Sequence, residues 1–461
     1  MFYMAFMPYY ILILAFTIVI DYIAGRCIEN AHGGGMRRLF LIISICANVG
    51  ILAFFKYFNF INRNILHIAQ FLDLRYPVPM LTIILPIGLS FYTFQAMSYT
   101  IEVYRGAQKV ERNFFIYALY VMFYPQLVAG PIERSQNLIH QFYEKHYFDY
   151  KRVTDGLKLM VWGMFKKVVI ADRLATMVNL VYRDPTNYTG LPLIVATIFF
   201  AFQIYCDFSG YSDIAIGAAQ TMGFRLMDNF NRPYFSKSIA EFWKRWHISL
   251  ASWFKDYLYI PLGGNKVSKA RWCCNIFVTF LISGLWHGAR WNFLIWGALN
   301  GFFVLLSILT KGLRQNFIKA IGLARVPVIH RSLQLVITFS LVSFGWIFFR
   351  ANNLKDAVYI VTHLFTGMID SFRQISLSIT QIGSGKRWWS GFTLGDRYGF
   401  MLAVFLIVFM EFMHMIQRHG SIRHMLSDKP IWLRWAIYYS LIFGILLFGV
   451  FNRSPFIYFQ F

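Results

Sequence analysis

Charge is scarce in this 461-residue sequence, since Asp, Glu, Lys and Arg together make up only 14% of it. Acidic residues are the rarer kind, with 21 Asp and Glu against 44 Lys and Arg. Soluble domains carry about 25% charged residues, so this deficit argues against an ordinary water-soluble protein. Hydrophobic residues make up 57% of the chain and aromatic residues 19%. The composition indicates an integral membrane protein.

Cysteine is also scarce, and its placement excludes two common uses. The five cysteines show neither zinc-type spacing nor the pattern of a disulfide framework, so we predict packing roles and no metal site. Internal repeats, low-complexity tracts and a separate soluble domain are lacking too. We therefore predict one membrane-embedded domain over residues 1–461. The cysteines are Cys27, Cys46, Cys206, Cys273 and Cys274.

Long apolar runs are abundant, and most have nearly the length needed to cross a hydrocarbon core of about 30 Å as a helix. We expect an all-α polytopic protein with roughly ten to twelve crossings or membrane-buried segments. The first run lacks a preceding basic region and a small-residue cleavage site, so we expect no removable signal peptide. The clearest runs are residues 9–20, 39–55, 191–206, 332–349, 401–412 and 435–451.

The net charge of +23 is concentrated in the connections between apolar runs. Basic residues gather in two of them, with nine Lys and Arg in residues 225–273 and five in residues 311–331. By the positive-inside rule we predict that both connections face the cytoplasm and that residues 176–192 lie on the opposite side. This distribution favours anionic lipid head groups and phosphorylated cytosolic substrates, and we expect no nucleic-acid partner.

The first basic connection contains "SIAEFWKRWHISLASWFKDYLYIPLGGN", residues 238–265. Ser238 and Glu241 have the spacing of a capping box. The apolar residues that follow recur at helical spacing, which predicts one amphipathic helix at the membrane surface, with its basic residues toward head groups and water. His247 lies beside the apolar stripe, and on this segment alone an interfacial histidine with no chemical role is the alternative. The stripe is Phe242, Trp246, Leu250, Trp253 and Tyr257, and the basic residues are Lys244, Arg245 and Lys255.

A second histidine, His287, stands in "GLWHGARWN", residues 284–292. About fourteen residues separate it from the basic boundary at Arg271, or roughly 21 Å of helix, which places it inside the bilayer. The apolar stretch around it is too long for one crossing, so we predict a turn at Gly284 and Gly288. An ionisable group at that depth is a candidate functional residue. The alternative is a neutral histidine hydrogen-bonded between helices.

Polar residues interrupt a third apolar run in "QIYCDFSGYSDIAIG", residues 203–217. Asp207 and Tyr211 share a helical face, whereas Asp213 points elsewhere, so the two carboxylates are not an acid/base pair. We expect Asp207 to orient a partner such as a histidine or an arginine. A helix break capped by Asp and Ser is the alternative.

Several of these motifs resemble, in order, those of bacterial membrane-bound O-acyltransferases of the alginate O-acetylation type. The resemblance spans most of the chain, although members usually have another hydrophobic segment before the position of "DYIAGR", residues 21–26. The matching motifs are "LPIGLSFYTFQAMSYTIEVYRG", "FYPQLVAGPIER", "YCDFSGYSDIAIG", "FNRPYFSKSIAEFWKRWHISLASWFKDYLYIPLGGN", "GLWHGARWNFLIWGALNG" and "FGWIFFRANNLKDA".

The resemblance implies a multi-pass enzyme of the bacterial cytoplasmic (inner) membrane, with helices in a ring around a central funnel. It would take an acetyl group from a cytoplasmic thioester, with acetyl-CoA as the expected donor and no bound cofactor. The acetyl group would pass toward an extracytoplasmic polysaccharide such as alginate, with a polysaccharide-acetylating partner protein outside. His287 maps onto the catalytic histidine of the family, and His247 onto a second histidine on the donor side.

General chemistry supports these roles. A neutral imidazole can take the proton of a hydroxyl as it attacks a thioester, and we assign this role to His287. Trp286 and Trp291 would exclude competing water, and Asp207 and Tyr211 would support the site. Lys244 and Arg245 would attract the phosphates of the donor.

Two alternatives stay open. D-alanyl transfer to teichoic acid uses similar histidine motifs but takes its acyl group from a carrier protein. A polysaccharide or ion transporter would also place His and Asp inside the membrane, but the chain lacks the paired, interrupted helices that inverted repeats would give.

Overall fold

A computed structural model of the chain describes residues 3–5, 7–369, 394–451 and 456–457. Within these residues the secondary structure is helical and contains no β-strand, which confirms the all-α prediction. The helices up to the middle of the chain are α1 (Ile11–Asn30), α2 (Gly34–Leu52), α3 (Phe58–Phe71), α4 (Leu89–Arg105), α5 (Phe114–Met122), α6 (Tyr124–Leu127), α7 (Ser135–Leu138), α8 (Tyr150–Met164), α9 (Asp172–Tyr182) and α10 (Leu191–Met222). The remaining helices are α11 (Ile239–Trp243), α12 (Ile248–Phe254), α13 (Lys269–His287), α14 (Trp291–Leu309), α15 (Lys311–Ala320), α16 (Pro327–Arg350), α17 (Leu354–His363), α18 (Arg397–Gln417), α19 (Ile422–Ser427) and α20 (Ile431–Phe448).

Among the described residues, seven helical segments are long and apolar enough to cross a membrane. This is fewer than the roughly ten to twelve crossings or buried segments expected. The expected number also included membrane-buried segments, and two further apolar helices miss the criteria for a crossing: α4 has only 17 residues, and Arg271, Asn275 and His287 lower the hydropathy of α13. Five of the six apolar runs singled out in the sequence fall within these segments, and the sixth, 435–451, extends past the end of the last one at Phe448. The seven segments are Pro8–Asn30, Gly34–Phe71, Leu191–Met222, Trp291–Leu309, Pro327–Arg350, Arg397–Gln417 and Ile431–Phe448.

The chain contacts define two compact units. One unit consists of Met1–Leu157 with Ala215–Asp228, and the other of Lys158–Ile214 with Asn229–Gln460. The prediction of a single domain stays a prediction.

The first unit is built around α1, α2, α4 and α5. Asp21 of α1 is fully buried and accepts hydrogen bonds from Ser44, from Asn48 at 2.8 Å and from Thr100 at 3.3 Å. Polar groups remote from water must be satisfied within the protein, and this cluster links three helices. Gly25, one turn along α1, allows the ring of Tyr99 to approach, since a Cβ there would lie 3.0 Å from Tyr99 Cε1.

The second unit contains both candidate histidines. Its α13 and α14 form a hairpin with a turn at residues 288–290, which confirms the predicted break at Gly288. Gly284 lies within α13, where a Cβ would come 2.2 Å from the carbonyl oxygen of Phe293 and 3.1 Å from the Cα of Gly297. This glycine therefore permits the two helices to touch along their backbones, as small residues do between membrane helices.

Hydrogen bonds show which helix ends of the second unit lie together. Asn292 donates to the carbonyl of Ala351 at 2.9 Å, and Asn352 donates to the carbonyl of Tyr182 at 2.9 Å. The turn after His287, the end of α16 and the end of α9 therefore share one end of the unit. Lys269 lies at the other end of α13, about 27 Å away at 1.5 Å per residue. This arrangement agrees with the predicted topology, whose orientation in the membrane stays a prediction.

Candidate active site

His287 is the last residue of α13 and is 5% exposed. Three aromatic rings surround its imidazole edge-on: Trp286 at 4.9 Å, Trp296 at 5.1 Å and Phe349 at 5.3 Å between centroids. Trp296 and Phe349 come from α14 and α16, so the three-helix packing fixes the ring. The side chains around His287 form a pocket wall that limits water.

Of the two tryptophans expected beside His287, Trp286 is buried at 4% exposure, whereas Trp291 is 55% exposed. Trp291 is the first residue of α14. Trp296, five residues later, takes the expected place against the imidazole.

The segment that carries His247 is not one helix, so that prediction was wrong. The cap is present, since Ser238 accepts from the backbone N–H of Glu241 at 3.2 Å. Helix α11 ends at Trp243, however, and His247 has the left-handed backbone conformation with φ 44° and ψ 54°. Non-glycine residues adopt this conformation rarely and at an energetic cost, often at functional sites. The break turns the imidazole away from the direction that a continuous helix would give it.

The same segment does not lie on a membrane surface with its apolar face toward lipid. Phe242, Trp246, Leu250 and Trp253 are buried within the protein. Tyr234, which precedes them, donates to the carbonyl of Ala201 at 2.5 Å, near the middle of α10. The connection after α10 therefore enters the interior of the second unit.

His247 is buried at 2% exposure and packs edge-on against Phe208 of α10, with centroids 4.6 Å apart. Its Nδ1 lies 3.1 Å from Oδ1 of Asn229. Burial lowers the pKa of His247 to about 3, because a charged imidazolium loses hydration there. The side chain is neutral at physiological pH.

Trp286 links the two histidines. Its ring centroid lies 4.9 Å from that of His287 and 6.3 Å from that of His247. His247 belongs to the basic connection and His287 to the end of α13, so one indole contacts histidines from two separate parts of the chain.

The two basic residues assigned to the donor lie on the outer side of this segment. Lys244 is exposed, and Arg245 is partly buried and forms an ion pair with Glu241 at 2.6 Å. Their role with a donor stays a prediction.

Asp207 is buried and bonds with a lysine, not with the histidine or arginine that we expected. Its Oδ1 lies 2.6 Å from Nζ of Lys167, and its Oδ2 accepts from the backbone N–H of Ile457 at 2.7 Å. Helix α10 is continuous through this region, which rules out the capped break considered from the sequence. Tyr211, one turn further along, stacks obliquely on Phe456 at 5.0 Å.

Lys166, next to Lys167, forms an ion pair with the other carboxylate of α10, that of Asp213. Its Nζ lies 2.7 Å from Asp213 and 2.9 Å from Oγ of Ser209. Both lysines belong to a π-helical segment, Phe165–Ala171, in which the widened turn presents consecutive side chains to different parts of α10. Sequence reasoning overlooked this pair, although two adjacent lysines within an apolar stretch are the signal of buried ion pairing.

The arrangement provides two buried imidazoles with aromatic rings around them, and both carboxylates of α10 are paired with lysines. Such a site can take a proton from a hydroxyl and exclude water. Asp207 and Asp213 instead stabilise the packing of α10.

Comparison with known proteins agrees with this chemistry. The family described as "MBOAT, membrane-bound O-acyltransferase family" matches residues 106–322. The chain is 38% identical over 383 residues to the probable alginate O-acetylase of Pseudomonas aeruginosa. This match covers 81% of this chain and 70% of that protein. The chain is 35% identical over 380 residues to the peptidoglycan O-acetyltransferase of Helicobacter pylori, covering 76% and 69% respectively.

The teichoic acid D-alanyltransferase of Bacillus subtilis is more distant, at 26% identity over 275 residues, or 57% of this chain and 68% of that protein. The similarity to the two O-acetylating proteins extends over more of the chain at higher identity. The helical membrane fold, the matched region and these relatives together show that this chain is an O-acyltransferase and belongs to the membrane-bound O-acyltransferase family.

Proposed function

We propose that this protein is an O-acetyltransferase of the bacterial inner membrane that moves acetyl groups from acetyl-CoA on the cytoplasmic side to hydroxyls of an extracytoplasmic polysaccharide. The observation that carries the proposal is the placement of two buried histidines against the same indole, that of Trp286. His247 comes from the basic connection, which suits a phosphate-bearing donor. His287 lies at the other end of α13, which suits an acceptor from outside.

The reaction follows from these roles. The neutral His287 removes the proton of the acceptor hydroxyl while the oxygen attacks the thioester carbonyl carbon. The carbon–sulfur bond then breaks, and the leaving thiolate takes the proton back from the imidazolium. The products are the acetyl ester and free CoA thiol, so atoms and charge balance. Trp286, Trp296 and Phe349 keep water from competing as the acceptor.

The likeness to O-acetylating relatives supports an acetyl donor and a polysaccharide acceptor such as alginate. Delivery outside the membrane requires a second component there, and we propose a polysaccharide-acetylating partner protein. D-alanyl transfer from a carrier protein is the competing function.

The test uses the full chain reconstituted in lipid vesicles with alginate oligosaccharides and peptidoglycan fragments as alternative acceptors. Acetyl-labelled acetyl-CoA and D-alanyl carrier protein are offered separately to the reconstituted protein. We expect label on polymer hydroxyls only from acetyl-CoA, and no transfer by His287→Ala at equal protein level. Consumption of the aminoacyl carrier instead of acetyl-CoA would replace this proposal with the D-alanyl one.

A further inference from the structure

Asn229 lies in the connection that follows α10 and is 1% exposed. Its Oδ1 lies within hydrogen-bond distance of three groups. They are the backbone N–H of Ser249 at 3.3 Å, Oγ of Ser249 at 2.9 Å and Nδ1 of His247 at 3.1 Å. Its Nδ2 donates to Oγ of Ser212 at 3.2 Å. Because a backbone N–H can only donate, the contact with Ser249 identifies the acceptor atom as the amide oxygen.

That identification determines the tautomer of His247. An amide oxygen cannot donate, so Nδ1 of the imidazole must carry the hydrogen of this bond. In a neutral ring the other nitrogen, Nε2, then holds the lone pair. A hydrogen-bond partner on one ring nitrogen commonly fixes the tautomer and the orientation of a functional imidazole.

We propose that Asn229 is a positioning residue that holds His247 in the Nδ1-protonated tautomer, so that Nε2 serves as a hydrogen-bond or proton acceptor during acyl transfer. The role in transfer rests on the proposed function, whereas the tautomer does not. His247 also has a left-handed backbone, with φ 44°, a conformation that persists only where surrounding contacts hold it, and the contacts with Asn229 are among those contacts.

Asn229 contacts a ring nitrogen of His247, and the aromatic neighbours of the imidazole carry no charge. Phe208 of α10 and Trp286 of α13 face the ring. On α10 the carboxylates of Asp207 and Asp213 are paired with lysines. On α13 a titratable neighbour is His287, which contacts the same indole of Trp286.

The first experiment compares Asn229→Asp with the matched control Asn231→Asp in the acetyl-transfer assay across pH. Aspartate at 229 keeps the acceptor but adds a negative charge about 3 Å from the ring, which should raise the pKa of the imidazole by about one to three units, from about 3 to between about 4 and 6. We expect activity of Asn229→Asp to fall at acid pH, with its acid limb moved upward by that amount. Asn231 is exposed, so its variant should keep the wild-type profile. Equal profiles for both variants at normal protein level would overturn the positioning role.

The second measurement needs neither a variant at 229 nor a donor. Nitrogen-15 labelled histidine in the wild-type protein reports which ring nitrogen is protonated, and the His247 signal is identified by its absence from His247→Gln. We expect an Nδ1–H signal with an unprotonated Nε2. An Nε2–H tautomer would refute the proposal even if acetyl transfer is confirmed. Failure of acetyl transfer with an Nδ1–H tautomer would instead refute only the proposed function.

Discussion

The indole of Trp286 packs edge-on against the imidazole of His287, with ring centroids 4.9 Å apart. The same indole also packs against the imidazole of His247, at 6.3 Å between centroids. If His287 is the catalytic base that we propose, a buried indole beside it would exclude water from the reacting groups.

Replacing Trp286 by alanine should therefore divert acetyl groups to water. We expect the ratio of free acetate to polymer ester to rise several-fold, measured by labelled products from acetyl-CoA at equal protein level. Trp291→Ala is the control, because Trp291 is half exposed. An unchanged product ratio in Trp286→Ala would show that other groups exclude the water.

Lys166→Met should destabilise the protein, because it leaves the Asp213 carboxylate in a largely buried place without its partner. Removing one member of a buried ion pair costs about 3–5 kcal/mol. Thermal unfolding in detergent measures the loss, and Lys255→Met, at an exposed lysine, is the control. The double variant Lys166→Met with Asp213→Asn should recover part of the stability. Equal melting temperatures for wild type and Lys166→Met would contradict the structural role of this pair.

The orientation of the protein in the membrane can be checked by cysteine labelling. In a variant whose five cysteines are replaced, a single cysteine at Lys269 should be protected from an impermeant reagent in intact cells. A single cysteine at Asp184 should react, because that loop lies at the end of the unit shared with Asn352 and Tyr182. Labelling at 269 from outside would reverse the assignment of donor and acceptor faces.

Much of the fold could be predicted from the sequence because hydrophobic run length reports membrane helices directly. The break after His287 was predictable too, since the apolar stretch exceeds one crossing and contains Gly288. The pairing of Asp207 with Lys167 was not, because sequence spacing describes contacts within one helix and this contact joins two. Likewise, the spacing of apolar residues around Trp246 fits a helix. The structure has a broken segment there, in which these apolar side chains are buried in the protein and His247 contacts Asn229.

Burial of His247 also sets a pH dependence of stability. Its pKa is lowered from 6.5 to about 3 in the folded protein, so the unfolded chain binds more protons between those values. The free energy of unfolding should therefore fall as pH drops below about 6.5. Thermal unfolding from pH 7 to pH 4.5 checks this, with His247→Gln losing less stability over the same range. An equal decline in both proteins would assign the acid sensitivity to other groups.

The acetyl-transfer rate of His287→Gln is the most direct test of the proposal that His287 is the base. Glutamine keeps most of the size and hydrogen bonding of the imidazole but cannot take a proton, so it separates a base from a packing residue. In vesicles with acetyl-CoA and acceptor oligosaccharide, with the variant at the wild-type level in the membrane, we predict that the transfer rate falls at least about 10²-fold, as in His287→Ala. A rate near that of the wild type for His287→Gln would show that His287 is structural and that another group activates the acceptor.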